Sequence, residues 1–229
     1  MRIGGLQKIS LIDYPGNVAA VVFTQGCNFR CPYCHNVNLV SPACFADPIS
    51  EYDVLDFLST RVEKLKGVVV TGGEPTLQPD LPEFLQKIRT LGFLVKLDTN
   101  GSRPAVLRWL IDEGLVDFIA MDIKAPLERY DEVAGVRVKT DYIRQSIDLI
   151  KGSGISYQFR TTVVKSLLSE TDIGQIADML GDIEYYRLQN FAGQDVLLDN
   201  SLLDQAHFTE EELSRLRARW ERHPQSVCS

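Results

Sequence analysis

The amino-acid sequence predicts an α/β fold in which six parallel strands, each followed by a helix, form an open partial barrel. Short apolar runs alternate with amphipathic helical segments, and no linker or shift in composition divides the chain. Six strands are too few to close an eight-stranded barrel. We therefore expect one domain over residues 1–229, with an N-terminal extension over 1–17 and a C-terminal loop and helix over 190–229.

The strands are predicted from continuous apolar runs, which are typical of parallel strands buried on both faces. They are residues 18–23, 67–71, 93–97, 117–121, 157–164 and 184–188. Residues 1–17 are interpreted as turn-rich, because residues 13–16 read Asp-Tyr-Pro-Gly before the first strand.

Helices are predicted where apolar residues recur at helical spacing behind a capping residue. The first begins at Ser50 and extends its apolar stripe through Val62 to Leu65. The others begin near Asp80, Pro104, Asp141, Ser169 and Thr209. Residues 36–48 are interpreted as a loop.

Composition limits the function classes. The chain has 229 residues, of which 45% are hydrophobic and 24% charged, as in ordinary globular proteins. No apolar run approaches the roughly 20 residues of a membrane span, and the N-terminus lacks a signal-peptide core, so we expect a cytoplasmic protein. The net charge of −7 argues against nucleic-acid binding, although it leaves open a partner with a basic patch.

Three of the five cysteines, Cys27, Cys31 and Cys34, have the spacing C-x3-C-x2-C. Three thiolates can bind three irons of a four-iron, four-sulfur (4Fe–4S) cluster and leave the fourth iron without a protein ligand. The alternative is a zinc site that adds His35, but adjacent residues rarely bind one ion together. Cys44 is interpreted as a packing or surface residue, and Cys228 as part of the C-terminal tail.

Polar motifs follow the predicted strands, at the end where barrel folds place their reactive groups. They are Gly72-Gly73-Glu74-Pro75, Asp98-Thr99-Asn100-Gly101, Asp122-Ile123-Lys124, Arg160 within the fifth strand, and Gln189-Asn190 after the sixth. Taken singly, each motif is equally typical of turns and solvated charges. Their shared position predicts one site. His207 and His223 are interpreted as surface or packing residues.

The cysteine motif within residues 23–36, together with residues 5–8, 10–16 and 72–75, resembles the radical S-adenosylmethionine (SAM) enzymes. Within them the sequence is most similar to the activating enzymes of glycyl-radical enzymes, in the branch that serves anaerobic ribonucleoside-triphosphate reductase. The resemblance implies the open barrel, the 4Fe–4S cluster on the three cysteines, and SAM on the open iron. It further implies a glycyl-radical enzyme as partner, a flavodoxin or ferredoxin as electron donor, and no catalytic acid or base.

The resemblance also assigns residues. It implies that Gly72, Gly73 and Glu74 bind the SAM ammonium group and that Lys124 helps to hold SAM. Asp98, Thr99 and Asp122 match positions beside a monovalent-cation site. The remaining expected cofactor contacts are Tyr33, His35, Asn100, Arg160 and Gln189. Either Gln189 or Asn190 stands where the pyruvate formate-lyase activases have a histidine.

Three alternatives stay open at this point. The chain could activate another glycyl-radical enzyme, such as one of the pyruvate formate-lyase type. It could be a radical SAM enzyme of a small molecule, such as a deazaguanine-forming carboxy synthase, although those tend to depart from this cysteine spacing. A non-enzymatic iron–sulfur or zinc scaffold would leave the strand-end motifs unexplained.

Overall fold

The computed structural model describes residues 1–191, 196–203, 205 and 207–222. Its strands are β1 (Ile3–Ser10), β2 (Ala19–Thr24), β3 (Gly67–Gly72), β4 (Leu94–Thr99), β5 (Phe118–Asp122), β6 (Ser156–Val163) and β7 (Tyr186–Asn190). Its helices are α1 (Val37–Val40), α2 (Glu51–Ser59), α3 (Leu81–Thr90), α4 (Pro104–Asp112), α5 (Tyr130–Ala134), α6 (Thr140–Gly152), α7 (Glu170–Leu180) and α8 (Glu210–Trp220). The fold class predicted from the sequence is confirmed.

The seven strands form one sheet in chain order. Neighbouring strands from β2 to β7 are parallel, so all six predicted strands are confirmed with small shifts at their ends. β1 and β7 are the two edges of the sheet. The sheet is therefore an open, partial barrel.

Two apolar layers hold the sheet in place. Because side chains alternate along a strand, one set fills the inside of the barrel and the other packs under the helices. The inner cluster is small and contains Tyr14, Ala19, Val21, Val69, Phe118 and Ala120. The larger outer cluster includes Phe84, Leu107, Phe159 and Ile176. The inner apolar cluster therefore fills the barrel directly beneath the carboxyl ends of the strands.

The prediction for residues 1–17 is wrong, because residues 3–10 form β1, antiparallel to β2. Two glycines and alternating polar residues weaken the apolar signal of this segment. Only Ile3 and Ser10 of the strand are buried, as expected for an edge strand.

Most predicted helices are confirmed, and the capping boxes of α7 and α8 form at Ser169 and Thr209. The first predicted helix is too long. α2 ends at Ser59, where the hydroxyls of Ser59 and Thr60 donate to carbonyls of the last turn, and Val62 is exposed. Asp80 occupies the N-cap of α3 without the expected side-chain cap bond.

Other predictions have a simpler outcome. None of the helices in the described part of the chain has the length and apolar character that a bilayer span requires. Cys44 is exposed, and His207 is exposed with its ring stacked on Phe191. Cys228 and His223 lie outside the described residues. The single-domain boundaries stay a prediction.

Candidate active site

The three motif cysteines lie on the loop that follows β2, and all three line one cavity of about 320 Å³. Backbone hydrogen bonds from two other parts of the chain hold this loop. The Arg30 amide donates to the Ala134 carbonyl at the end of α5, at 2.8 Å. The amides of residues 198 and 199 donate to the carbonyls of Cys34 and Pro32, at 3.0 and 2.9 Å. The loop is therefore fixed from both sides.

Gly72, the last residue of β3, and Gly73, which follows it, are both required as glycine by close contacts with the backbone of the neighbouring segment. A Cβ atom on Gly73 would lie 2.1 Å from the Gly26 carbonyl oxygen, and one on Gly72 would lie 2.3 Å from the Thr24 amide nitrogen. Gly72 also has a φ of +119°, which side chains disfavour. The end of β3 thus packs directly on the segment that leads to Cys27.

Glu74 is fully buried, and its carboxylate joins the loop after β3 to the end of β4. Its Oε1 accepts hydrogen bonds from the Thr76 amide at 3.1 Å, the Thr76 hydroxyl, and the Thr99 hydroxyl at 2.8 Å. Its Oε2 accepts one bond from the Asn100 amide at 2.6 Å. Burial raises the pKa of Glu74, although these bonds act against that rise. Only Oε2 keeps an acceptor direction for a bound cation.

Asn100 connects the loop after β4 to the cysteine loop. Its side-chain nitrogen donates to Asn28 Oδ1 at 3.0 Å and lies 4.0 Å from the Cys27 sulfur. The Phe29 amide also donates to that sulfur, at 3.4 Å. Hydrogen bonds to cluster sulfurs tune the reduction potential of iron–sulfur clusters, so Asn100 is placed to act on the cluster through Cys27.

Five charged side chains form a continuous ion-pair chain at the ends of β4, β5 and β6. Lys96 pairs with Asp98 Oδ1, and Arg160 pairs with Asp98 Oδ2 at 3.2 Å. Arg160 also pairs with Asp122 Oδ1 at 2.8 Å, and Lys124 with Asp122 Oδ2 at 3.2 Å. The three cations and two carboxylates together give the ion-pair chain a net charge of one positive unit.

The ion pairs set the protonation states of their members. Burial alone would raise the pKa of Asp122, but the charges of Arg160 and Lys124 outweigh burial and lower it to about 2. Burial opposes the charged forms of Arg160 and Lys124, yet Asp122 keeps the pKa of both above the usual range. Burial lowers the pKa of Lys96, while Asp98 acts against that change. These directions keep Asp122, Arg160 and Lys124 charged at neutral pH.

The structure brings every predicted site residue to the same cavity. Its lining includes Cys27, Cys31, Tyr33, Cys34, His35, Gly72, Gly73, Glu74, Asp98, Thr99, Asn100, Asp122, Lys124, Arg160 and Gln189. Gln189 lies within β7, not after it, and Asn190 lines the cavity beside it. The individual cofactor contacts of these residues stay predictions.

Sequence reasoning missed several residues of the site. Thr71 and Thr162 line the cavity from strand ends, and Phe29 and Phe191 contribute apolar rings. Lys96 was also missed, although a single lysine within the apolar third strand, two residues before Asp98, was a usable signal.

The zinc alternative finds no support in the geometry. Among the described residues, no three His, Cys, Asp or Glu side chains come together at the distances of a single metal ion. Burial raises the pKa of the Cys27 thiol to about 12, a cost that a zinc ion and an iron–sulfur cluster would share, so this shift does not distinguish them.

The family model of the Radical SAM superfamily matches residues 21–180. The chain belongs to the radical SAM superfamily. Members of the superfamily use a 4Fe–4S cluster and SAM, and these are the cofactors of this chain. The described residues fit them. Three thiols line the cavity, and the ion-pair chain has a positive charge available for the SAM carboxylate.

Two curated relatives within the superfamily match most of the chain. Protein MJ1227 of Methanocaldococcus jannaschii, provisionally named a glycyl-radical enzyme activating enzyme, is 36% identical over 199 residues, or 84% of this chain and 81% of that protein. The pyruvate formate-lyase-activating enzyme of Clostridium pasteurianum is 27% identical over 190 residues, or 80% of this chain and 77% of the enzyme. This chain therefore has glycyl-radical activating enzymes among its homologues.

A solved radical SAM structure matches the fold. Streptococcus suis SuiB bound to SAM superposes with a TM-score of 0.69 at 16% identity, covering 87% of this chain and 45% of SuiB. At this identity the likeness shows the fold alone. This chain spans less than half the length of SuiB.

Proposed function

We propose that this radical SAM protein is an activating enzyme that generates a glycyl radical on anaerobic ribonucleoside-triphosphate reductase. The observation that carries the proposal is the extent of the likeness to activating enzymes, which runs through most of both chains. The motifs in residues 5–16 and 23–36 favour the reductase branch. An oxygen-labile cluster fits the reducing cytoplasm, and a flavodoxin or ferredoxin is the proposed electron donor.

Cys27, Cys31 and Cys34 would hold the cluster, which would supply one electron to SAM, and SAM would supply the 5′-deoxyadenosyl group that removes a hydrogen atom and the methionine that leaves. The electron comes from the external donor, and the hydrogen atom comes from the Cα of one glycine in the partner. The products are 5′-deoxyadenosine and the glycyl radical, so no proton has to be transferred by a side chain. This agrees with a cavity whose charged groups are already paired with one another.

The residues of the chain bind and orient. Lys124 and Arg160 attract the SAM carboxylate, because the ion-pair chain has one excess positive charge. Glu74 holds the loops that carry Thr99 and Asn100, and its Oε2 can accept from the SAM ammonium group. Tyr33 lines the same cavity beside the cysteines.

The open side of the barrel supports a protein substrate. The sheet ends at β1 and β7, and the cavity lies between the ends of the parallel strands. A loop of a folded partner can enter an open barrel more readily than a closed one. The net charge of −7 suits a partner with a basic patch around its glycine loop.

The proposal predicts where an unpaired electron will appear. Anaerobic mixing of the reduced, cluster-loaded protein with SAM and the reductase of the same genome should give a doublet electron-paramagnetic-resonance signal on the reductase. The signal should disappear when the radical-site glycine of the reductase is replaced by alanine. If no glycyl-radical enzyme of that genome gains a radical, while a small metabolite accelerates SAM cleavage and is itself transformed, the small-molecule alternative replaces this proposal.

A further inference from the structure

Lys96 is a buried cation beneath the SAM cavity that no motif accounts for. It lies in the middle of β4 and is 1% exposed, and it is the only lysine or arginine among the described residues that is buried. Its aliphatic part sits among the inner apolar cluster, and its ammonium lies 5.9 Å from the centre of the Phe118 ring. A buried charge is costly unless it is paired, so the position needs a reason.

The ammonium of Lys96 is paired with Asp98, one of the residues that match the monovalent-cation site of related activating enzymes. The second oxygen of Asp98 is taken by Arg160. The two oxygens of Asp122 are taken by Arg160 and Lys124. All four carboxylate oxygens of this expected site therefore already bind cationic groups of the chain.

The third expected ligand is also engaged. The Thr99 hydroxyl donates to Glu74 at 2.8 Å and accepts from the Gly101 amide at 3.1 Å. Each of these oxygens keeps one free acceptor direction, but an alkali cation on Asp98 would stand beside the Lys96 ammonium and the Arg160 guanidinium, and the repulsion among the three positive charges disfavours it. The residues present do not fit a bound alkali cation.

We infer that the Lys96 ammonium takes the place of the monovalent cation, so that SAM binding in this protein needs no sodium or potassium. Lys96 is a positioning residue. Its ammonium pairs with Asp98 from the interior of the barrel, and Asp98 in turn pairs with Arg160, which also binds Asp122. The cavity side of the ion-pair chain then stays available for the SAM carboxylate. This inference concerns the SAM site and is independent of which partner is activated.

The test measures SAM affinity of the cluster-loaded protein by anaerobic equilibrium dialysis in tetramethylammonium, sodium and potassium buffers of equal ionic strength. The wild-type affinity should be the same in all three. The Lys96→Met variant should bind SAM about tenfold more weakly in tetramethylammonium, the scale of one lost charge-assisted contact. Potassium or sodium should restore part of that loss, because the vacated site can then hold the ion.

Two controls keep the test decisive. Lys64→Met removes an exposed lysine and should leave SAM affinity and its ion independence unchanged. Lys96→Arg should keep the ion independence. A wild-type SAM affinity that rises severalfold with potassium or sodium would overturn the inference. Because this measurement uses only the wild-type protein, it tests the inference even if Lys96→Met does not fold. A folded Lys96→Met protein with wild-type affinity, or with a loss that no alkali ion restores, would also overturn it.

Discussion

Replacing Gly73 by alanine should prevent stable assembly of the cluster. The new methyl group would lie 2.1 Å from the Gly26 carbonyl oxygen. A Cβ atom is fixed by its own backbone, and the carbonyl belongs to the backbone, so neither group can rotate away from the other. The resulting shift separates the end of β3 from the segment that leads to Cys27. We expect a loss of about 3 kcal/mol of unfolding free energy, at the upper end of overpacking effects. Urea denaturation of the cluster-free protein and iron content after anaerobic reconstitution measure the two effects.

Gly152→Ala is the matched control for this change. Gly152 ends α6, and an added Cβ would meet no heavy atom within 4 Å. This variant should be as stable as the wild type, or up to about 1 kcal/mol more stable. It should reconstitute to about four irons and four sulfides per chain, as the wild type should. A Gly73→Ala protein with the same iron content and stability would refute the close-packing explanation.

Arg160→Met should produce the second large effect, because it removes the cation that joins Asp98 to Asp122. Each carboxylate would then keep one lysine partner, and the two would face each other without the bridging guanidinium. Removing one partner of a fully buried ion pair costs about 3 kcal/mol or more, and because Arg160 and Asp122 are only partly buried we expect a loss of about 2 kcal/mol. The pKa of Asp122, lowered to about 2 in the wild type, should rise.

The pH dependence follows from that pKa. A carboxyl group with a lowered pKa stabilises the folded state above its unfolded pKa, and the contribution disappears as the pH falls toward 2. The difference in unfolding free energy between the wild type and Arg160→Met should therefore become smaller as the pH falls below about 4, the unfolded pKa of aspartate. Arg108→Met, at an exposed position on α4 away from the ion-pair chain, should change neither the stability nor its pH dependence. A pH-independent deficit in Arg160→Met would show that lost packing, not charge, causes the effect.

Much of this site was predictable because its polar motifs directly follow the predicted strands. The apolar runs located β2 to β7, and parallel strands bring their carboxyl ends to one edge. The sequence alone therefore predicts that residues as distant as Cys27 and Gln189 lie at one site, and both line the cavity. The spacing of the cysteines favoured an iron–sulfur cluster over zinc, because a zinc site would need the adjacent residues Cys34 and His35 on one ion.

Other features could not be predicted, because they depend on contacts between strands. β1 has too few apolar residues to be recognised as a strand until β2 is available to pair with it. The close packing of Gly73 on the Gly26 carbonyl could not be read from the sequence. Nor could the hydrogen bonds of Glu74 with Thr76, Thr99 and Asn100. Spacing alone does not determine which groups meet, and the SAM contacts of Gly73 and Glu74 stay predictions.

Transfer of a hydrogen atom from the partner glycine tests the central claim most directly. The reductase is prepared with glycine deuterated at Cα and mixed anaerobically with SAM and the reduced, cluster-loaded protein. Mass spectrometry of the 5′-deoxyadenosine should then find one deuterium in each product molecule, and none when the radical-site glycine is replaced by alanine. Unlabelled 5′-deoxyadenosine formed at the same rate with the deuterated reductase would contradict the account, because its hydrogen would then come from another source.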